Sequence, residues 1–227
     1  VESIVRSASH CADAAEAIRH QAQADLGRAL LADRIKVPVL RDLPRVRARN
    51  VLRYWLRECK VPPLSLRRLN DALAQFCHAG ADAAVRIAWH GVEMRRYRDQ
   101  IWLLNVPQQT VEKQPVDWVG EEMRLAPGLG LVRRREVPGG IDPARWEQGR
   151  VQIVYRYSGL RCRPGGRSGT RSFKKITQEF GVPPWQRETL PVLMIDDRPA
   201  AIANCCVCHP FTVGKDEPGW FIEWIPD

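Results

Sequence analysis

Residues 84–105, AVRIAWHGVEMRRYRDQIWLLN, change the rhythm of the chain. Before them apolar residues recur at helical spacing. Within them apolar and polar residues alternate on either side of His90-Gly91, which is the pattern of two strands and their turn. The spacing predicts strands at 84–89 and 92–97 and a third at 101–104. Helices that close on a small sheet make the fold α+β.

Upstream, Ser65 is a good N-cap for a helix over 66–79, with Leu66, Leu69, Leu73 and Phe76 inward and Gly80 as its stop. The VPP of 61–63 separates it from a helix over about 45–59, whose apolar side is Ala48, Val51, Leu52, Trp55 and Leu56. Asp42 is the candidate cap there, with Pro44 in the first turn. KVPVLRDLP (36–44) reads as a linker, because Pro38 and Pro44 forbid a continuing helix. Ala-rich residues 10–33 read as helix with a hinge near Gly27.

Downstream, VPQQTVEKQP (106–115) has linker composition. The domains expected are therefore 1–105, helical with a terminal hairpin, and 116–227, β-rich. Strands are expected at 121–125, 129–137, 150–157, 191–196, 199–207 and 219–225. One helix is expected at 171–180, with Phe173, Ile176 and Phe180 on one face and Gly181 as its stop.

The 227 residues are 44% apolar and 27% charged, with mean hydropathy −0.34, which excludes long disorder. No apolar run reaches ~18 residues, and the first twenty residues carry no apolar signal core. The expected place is the cytoplasm. Seven cysteines without framework spacing then read as reduced thiols.

Net charge is +9, and 29 of the 35 basic residues are Arg, whose planar fork meets phosphate oxygens bidentately. Residues 34–57 hold eight bases and one acid, Asp42, while 148–178 hold eight bases and no acid. Two such tracts point to a long polyanion touched in two places. In the first, Arg45, Arg49, Arg53 and Arg57 recur every four residues and form one helical stripe. In the second, Arg161, Arg163, Arg167, Arg171, Lys174 and Lys175 surround a Gly-rich loop running into a helix, a natural anion seat. Arg187 either braces the corner after that helix or reaches a phosphate, and Trp185 reads as packing in that corner.

The run RPGGRSGTRSFKKITQEFGVPPWQRETLPVLMIDDRPAAI (163–202) resembles the C-terminal domain of tRNA(Ile)-lysidine synthetases. VRARNVLRYWLRE (46–58) and PPLSLRRLNDAL (62–73) resemble that family's preceding domain, in the same order. One departure is that Tyr157-Ser158-Gly159-Leu160-Arg161 stands where the family has Arg-x-Gly-Gly-Glu. The family's ATP-pyrophosphatase domain opens with Ser-Gly-Gly-x-Asp-Ser, a string this sequence does not contain. The resemblance implies a C-terminal region that binds and selects a minor isoleucine tRNA. The parent ligase uses ATP with Mg and lysine to convert the wobble cytidine to lysidine. It implies no catalytic or cofactor-binding residue in this chain, and it leaves homodimerisation open.

The alternatives are a free-standing RNA- or DNA-binding adaptor, or a metal or thiol protein using Cys205 and Cys208. Histidines 10, 20, 78, 90 and 209 form no triad. Cys205-Cys206-Val207-Cys208-His209 contains half of a zinc site, but the sequence offers no second close cysteine pair. The expectation is no metal, with the cysteines acting as small apolar residues of a buried strand.

Overall fold

The computed structural model describes residues 2–80, 83–106, 113–155 and 159–227. The chain divides into two compact units, Val1–Gln108 and Gln109–Asp227. Most of the expected linker, 107–112, lies outside the described residues, as do Tyr157 and Ser158. Among the described residues no helix is long and apolar enough to cross a membrane.

In the first unit, α1 (Glu2–Ala29) runs unbroken through Gly27, so the expected hinge is absent. It also ends four residues earlier than expected. Leu30–Leu31 (β1) turn back at Ala32, whose φ of 55° is left-handed, and pair with Arg34–Lys36 (β2). The tertiary setting overrides the helical propensity here, because Ile35 is fully buried and pairs with Ile101 of a distant strand. The expected linker is also structured. Val37–Asp42 forms α2, with Pro38 in its first turn, where a missing N–H costs nothing.

Two helices fall close to where their periodicity places them, α3 (Arg45–Glu58) and α4 (Leu66–His78). Ser65 Oγ accepts from Arg68 N and caps α4. Asp42 does not cap α3; it is the last residue of α2, and α3 has Pro44 at its cap position with no side-chain bond. Leu66, expected inward, is 53% exposed on the first turn of α4. Strands β3 (Arg86–Trp89), β4 (Val92–Tyr97) and β5 (Gln100–Asn105) complete an antiparallel sheet ordered β1-β2-β5-β4-β3. Its core includes Ile35, Leu40, Val51, Leu52, Phe76, Met94 and Ile101.

Many arginines of this unit are structural. Asp25 of α1 is fully buried and receives Arg47 Nε at 2.9 Å and Arg47 Nη2 at 2.7 Å, with Arg28 on the same carboxylate. Glu93 is buried between Arg86 and Arg95. Arg96 donates from Nη1 to the carbonyls of Phe76 (3.0 Å) and Ala79 (2.8 Å), so a cation closes the carbonyl end of α4.

The hydrogen bonds from Arg47 hold the Asp25 carboxyl below its ordinary range, and Arg86 does the same to Glu93. A carboxyl with a depressed folded value stabilises the fold above its unfolded range and loses that contribution as pH falls through the folded value. Thermal stability should therefore decline from about pH 4 downwards. Asp25→Asn should lower the melting temperature at pH 7 by several degrees and flatten this acid limb, measured by melts across pH 2–7. A variant that melts like the parent at pH 7 would contradict the role given to Asp25.

The second unit holds two antiparallel sheets. The larger is ordered β11-β10-β14-β13-β12-β9-β6, and the smaller β15-β8-β7. Their strands are β6 (Val116–Asp117), β7 (Glu122–Arg124), β8 (Leu131–Pro138), β9 (Val151–Tyr155), β10 (Arg161–Pro164), β11 (Arg171–Ser172), β12 (Pro191–Ile195), β13 (Arg198–Ile202), β14 (Cys206–His209) and β15 (Pro218–Ile225). The single strand expected at 199–207 is instead β13 and β14, folded back at Asn204. Asn204 takes a φ of 58°, and its side chain exchanges two hydrogen bonds with the Trp224 backbone, at 2.7 and 2.9 Å. The helix expected at 171–180 is α6 (Phe173–Glu179), because Arg171–Ser172 pair with β10 instead. Helix α5 (Pro143–Gln148) was not expected, though Asp142-Pro143 is a capped start and Asp142 Oδ1 accepts from Ala144 N at 2.9 Å.

Candidate nucleic-acid interface

The first basic surface lies on α3. Arg45 and Arg53 are exposed and, among the described residues, have no hydrogen bond or ion pair. Arg57 is exposed too, with its guanidinium 5.0 Å from the Tyr54 ring and Glu58 at 3.7 Å. Arg53 and Arg57 line an open groove with Arg19 and Ile18 of α1. Arg49 departs from the expected stripe. It is half-buried and turns toward Asn70 of α4, with Nη1 3.5 Å from Oδ1. Three of the four stripe residues therefore face solvent.

The second surface is less free than its charge tract suggests. Glu179 stands one residue beyond the acid-free stretch and takes two of its bases. Arg167 Nη1 reaches Glu179 Oε2 at 2.7 Å, and Arg171 pairs with the other oxygen. The expected helix-start seat is weak as well. Helix α6 has only seven residues, and Ser172 Oγ already accepts from Lys175 N at 3.4 Å. Arg187 braces the corner, donating from Nε to Val182 O at 2.9 Å.

Three of the named bases are both exposed and uncommitted here. Arg161, Lys174 and Lys175 are exposed and have no ion pair among the described residues. Arg161 and the half-buried Arg163 line an open groove with Thr170, Arg198 and His209. Sequence reading missed Arg198, because β13 reaches this surface through β14 and lies some 35 residues along the chain from Arg163. Adjacency in a sheet leaves no signal in a charge window.

The cysteines also group differently. The Sγ atoms of Cys162, Cys206 and Cys208 all lie within 4.8 Å of one another. Cys205 stands apart, and burial pushes its thiol up to about 12.

Two family models match the chain, the TilS substrate binding domain over residues 36–102 and the TilS substrate C-terminal domain over 151–224. Among curated relatives, the tRNA(Ile)-lysidine synthase of Methylococcus capsulatus is 32% identical over 99% of this chain and 52% of its own length. That of Ralstonia nicotianae is 34% identical over 99% of this chain and 50% of its own length. That of Coxiella burnetii is 28% identical over 98% and 50%. The chain thus spans about half the length of the relatives it matches. A solved structure described as the TILS C-terminal domain aligns at 17% identity with a TM-score of 0.34, over 44% of this chain and 88% of its own.

Proposed function

The chain belongs to the tRNA(Ile)-lysidine synthase family, and from that premise we propose that its two units bind and position the minor isoleucine tRNA whose wobble cytidine becomes lysidine. The observation that carries this reading is a set of solvent-facing cations: Arg45 and Arg53, with Arg57 beside its neighbour Glu58, in one unit, and Arg161, Lys174 and Lys175 in the other. An RNA longer than either patch can touch both, and two weak grips on one molecule multiply. Phosphate contacts of this kind set register, while RNA shape supplies selectivity.

ATP with Mg and lysine belong, on this reading, to the Ser-Gly-Gly-x-Asp-Ser domain of the synthetase. No step of the ligation is assigned to residues of these two units. Arg167 and Arg171 are a reserve rather than a resting contact, because Glu179 holds them.

Fluorescence anisotropy with labelled minor isoleucine tRNA tests the reading. Saturable binding is expected, and weaker binding to a DNA duplex of equal charge, which lacks the 2′-hydroxyls. Equal affinity for both would point to a general polyanion binder instead. Glu179→Gln should strengthen tRNA binding by about twofold or more, since it releases two arginines and removes a negative charge. Unchanged or weaker binding would show that those arginines stay away from RNA.

A further inference from the structure

Three cysteines from two strands meet at one point beside the basic groove. Strands β10 and β14 pair antiparallel, with Arg163 opposite His209 and Pro164 opposite Cys208. Cys162 and Cys208 are buried, and Cys206 is half-buried. Their three Sγ atoms lie mutually within 4.8 Å. We propose that Cys162, Cys206 and Cys208 form a zinc site, with water in the fourth position.

The donor set suits the ion. Zinc takes thiolates at about 2.3 Å in a tetrahedron, which separates sulfurs by about 3.8 Å. Rotations of the side chains about χ1 cover the difference. The site is also primed for a cation. Cys162 and Cys208 are buried, so thiolates formed there call for a compensating positive charge. Zinc supplies it.

Binding needs no oxidant or reductant. Three thiols become three zinc-bound thiolates, and three protons leave to solvent. The resulting centre carries one negative charge. Arg161, Arg163 and Arg198 line the groove that Cys162 also lines, so that charge sits in a positive field. Cys162 lies between Arg161 and Arg163, so zinc would also fix the strand that carries both.

The test uses this chain, purified in reductant, loaded with zinc sulfate and dialysed. Elemental analysis should give about one zinc per chain, and loading in weak buffer should release about three protons per zinc. Cobalt(II) in place of zinc should show a thiolate charge-transfer band in the near ultraviolet. Zinc should raise the melting temperature by roughly 4 °C or more, since an ion bound only by the folded state stabilises it. Cys162→Ser, Cys206→Ser and Cys208→Ser should each lose most of the zinc, while Cys59→Ser and Cys205→Ala keep it. Should a serine variant fail to fold, the unsubstituted chain decides the matter. Less than a tenth of a zinc per chain after dialysis, a cobalt spectrum without the band, or an intact mass two hydrogens short with the disulfide mapped to these cysteines would each overturn the proposal.

Discussion

Replacing Arg161, Lys174 and Lys175 together with alanine is expected to weaken tRNA binding at least tenfold. Each exposed charge-assisted contact contributes very roughly 1 kcal/mol, and three would give about a hundredfold without screening by salt. Arg171 is left out, because its charge is already satisfied by Glu179. The family resemblance implies that the C-terminal region grips the acceptor stem, so the same variant should lose an isolated acceptor-stem duplex to a similar degree. Alanine at Arg45, Arg53 and Arg57 should weaken intact tRNA comparably yet leave the duplex nearly untouched. The two sets lie in different units, so each can be lost without the other. Circular dichroism establishes that each variant is folded. If both variants lose the duplex equally, the division into two contact sites is wrong.

Gly140→Ala should remove most of the stability of the second unit. A β-carbon there would stand 2.3 Å from Gly219 C and 2.6 Å from Trp220 N. Both are backbone atoms that cannot rotate aside. Gly140 and Gly219 cross at contact so that Ile141 can bridge to both Thr212 and Trp220. Pushing β15 away would expose Ile222 and Trp224, which are buried in the core. A loss of about 4 kcal/mol or more is expected, a large part of a domain's usual stability. Gly219→Ala should act alike, since its β-carbon meets Gly140 C at 2.7 Å. Gly166 of the basic loop makes a useful contrast. It has a φ of +70° but nothing within 4 Å of an added carbon, so alanine there should cost only about 1–2 kcal/mol. Urea melts of the three variants measure the difference, and a Gly140→Ala midpoint equal to the parent's would refute the packing argument.

The sequence spoke clearly wherever local rules decide the outcome. Apolar spacing marked α3 and α4, Ser65 announced a cap that the structure contains, and alternation about His90-Gly91 marked the hairpin of β3 and β4. It was silent where the partner is distant. β1 and β2 are too short to show a period, and β2 holds its place by pairing with β5 some 65 residues later. Helix α2 was obscured by reading Pro38 only as a breaker. Nothing local in the sequence distinguishes Gly140, which marks where two backbones cross.

The candidate interface was legible as charge but not as availability. Composition cannot tell an arginine facing water from one facing Asp25 across two helices, as Arg47 does. Nor can a window that stops at residue 178 see Glu179. Sheet pairing likewise carried Cys162 to Cys206 and Cys208 across more than forty residues, whereas sequence spacing had singled out Cys205.

The central claim is that this chain holds tRNA through phosphates in both units, and the salt dependence of binding tests it most directly. Six exposed cations, each contributing ~0.7–0.9 to the slope, predict a log affinity that falls with log salt at about −4 to −5. Either alanine triple variant should bring that slope to about half. A slope near zero, or no binding of tRNA at low salt, would contradict the account.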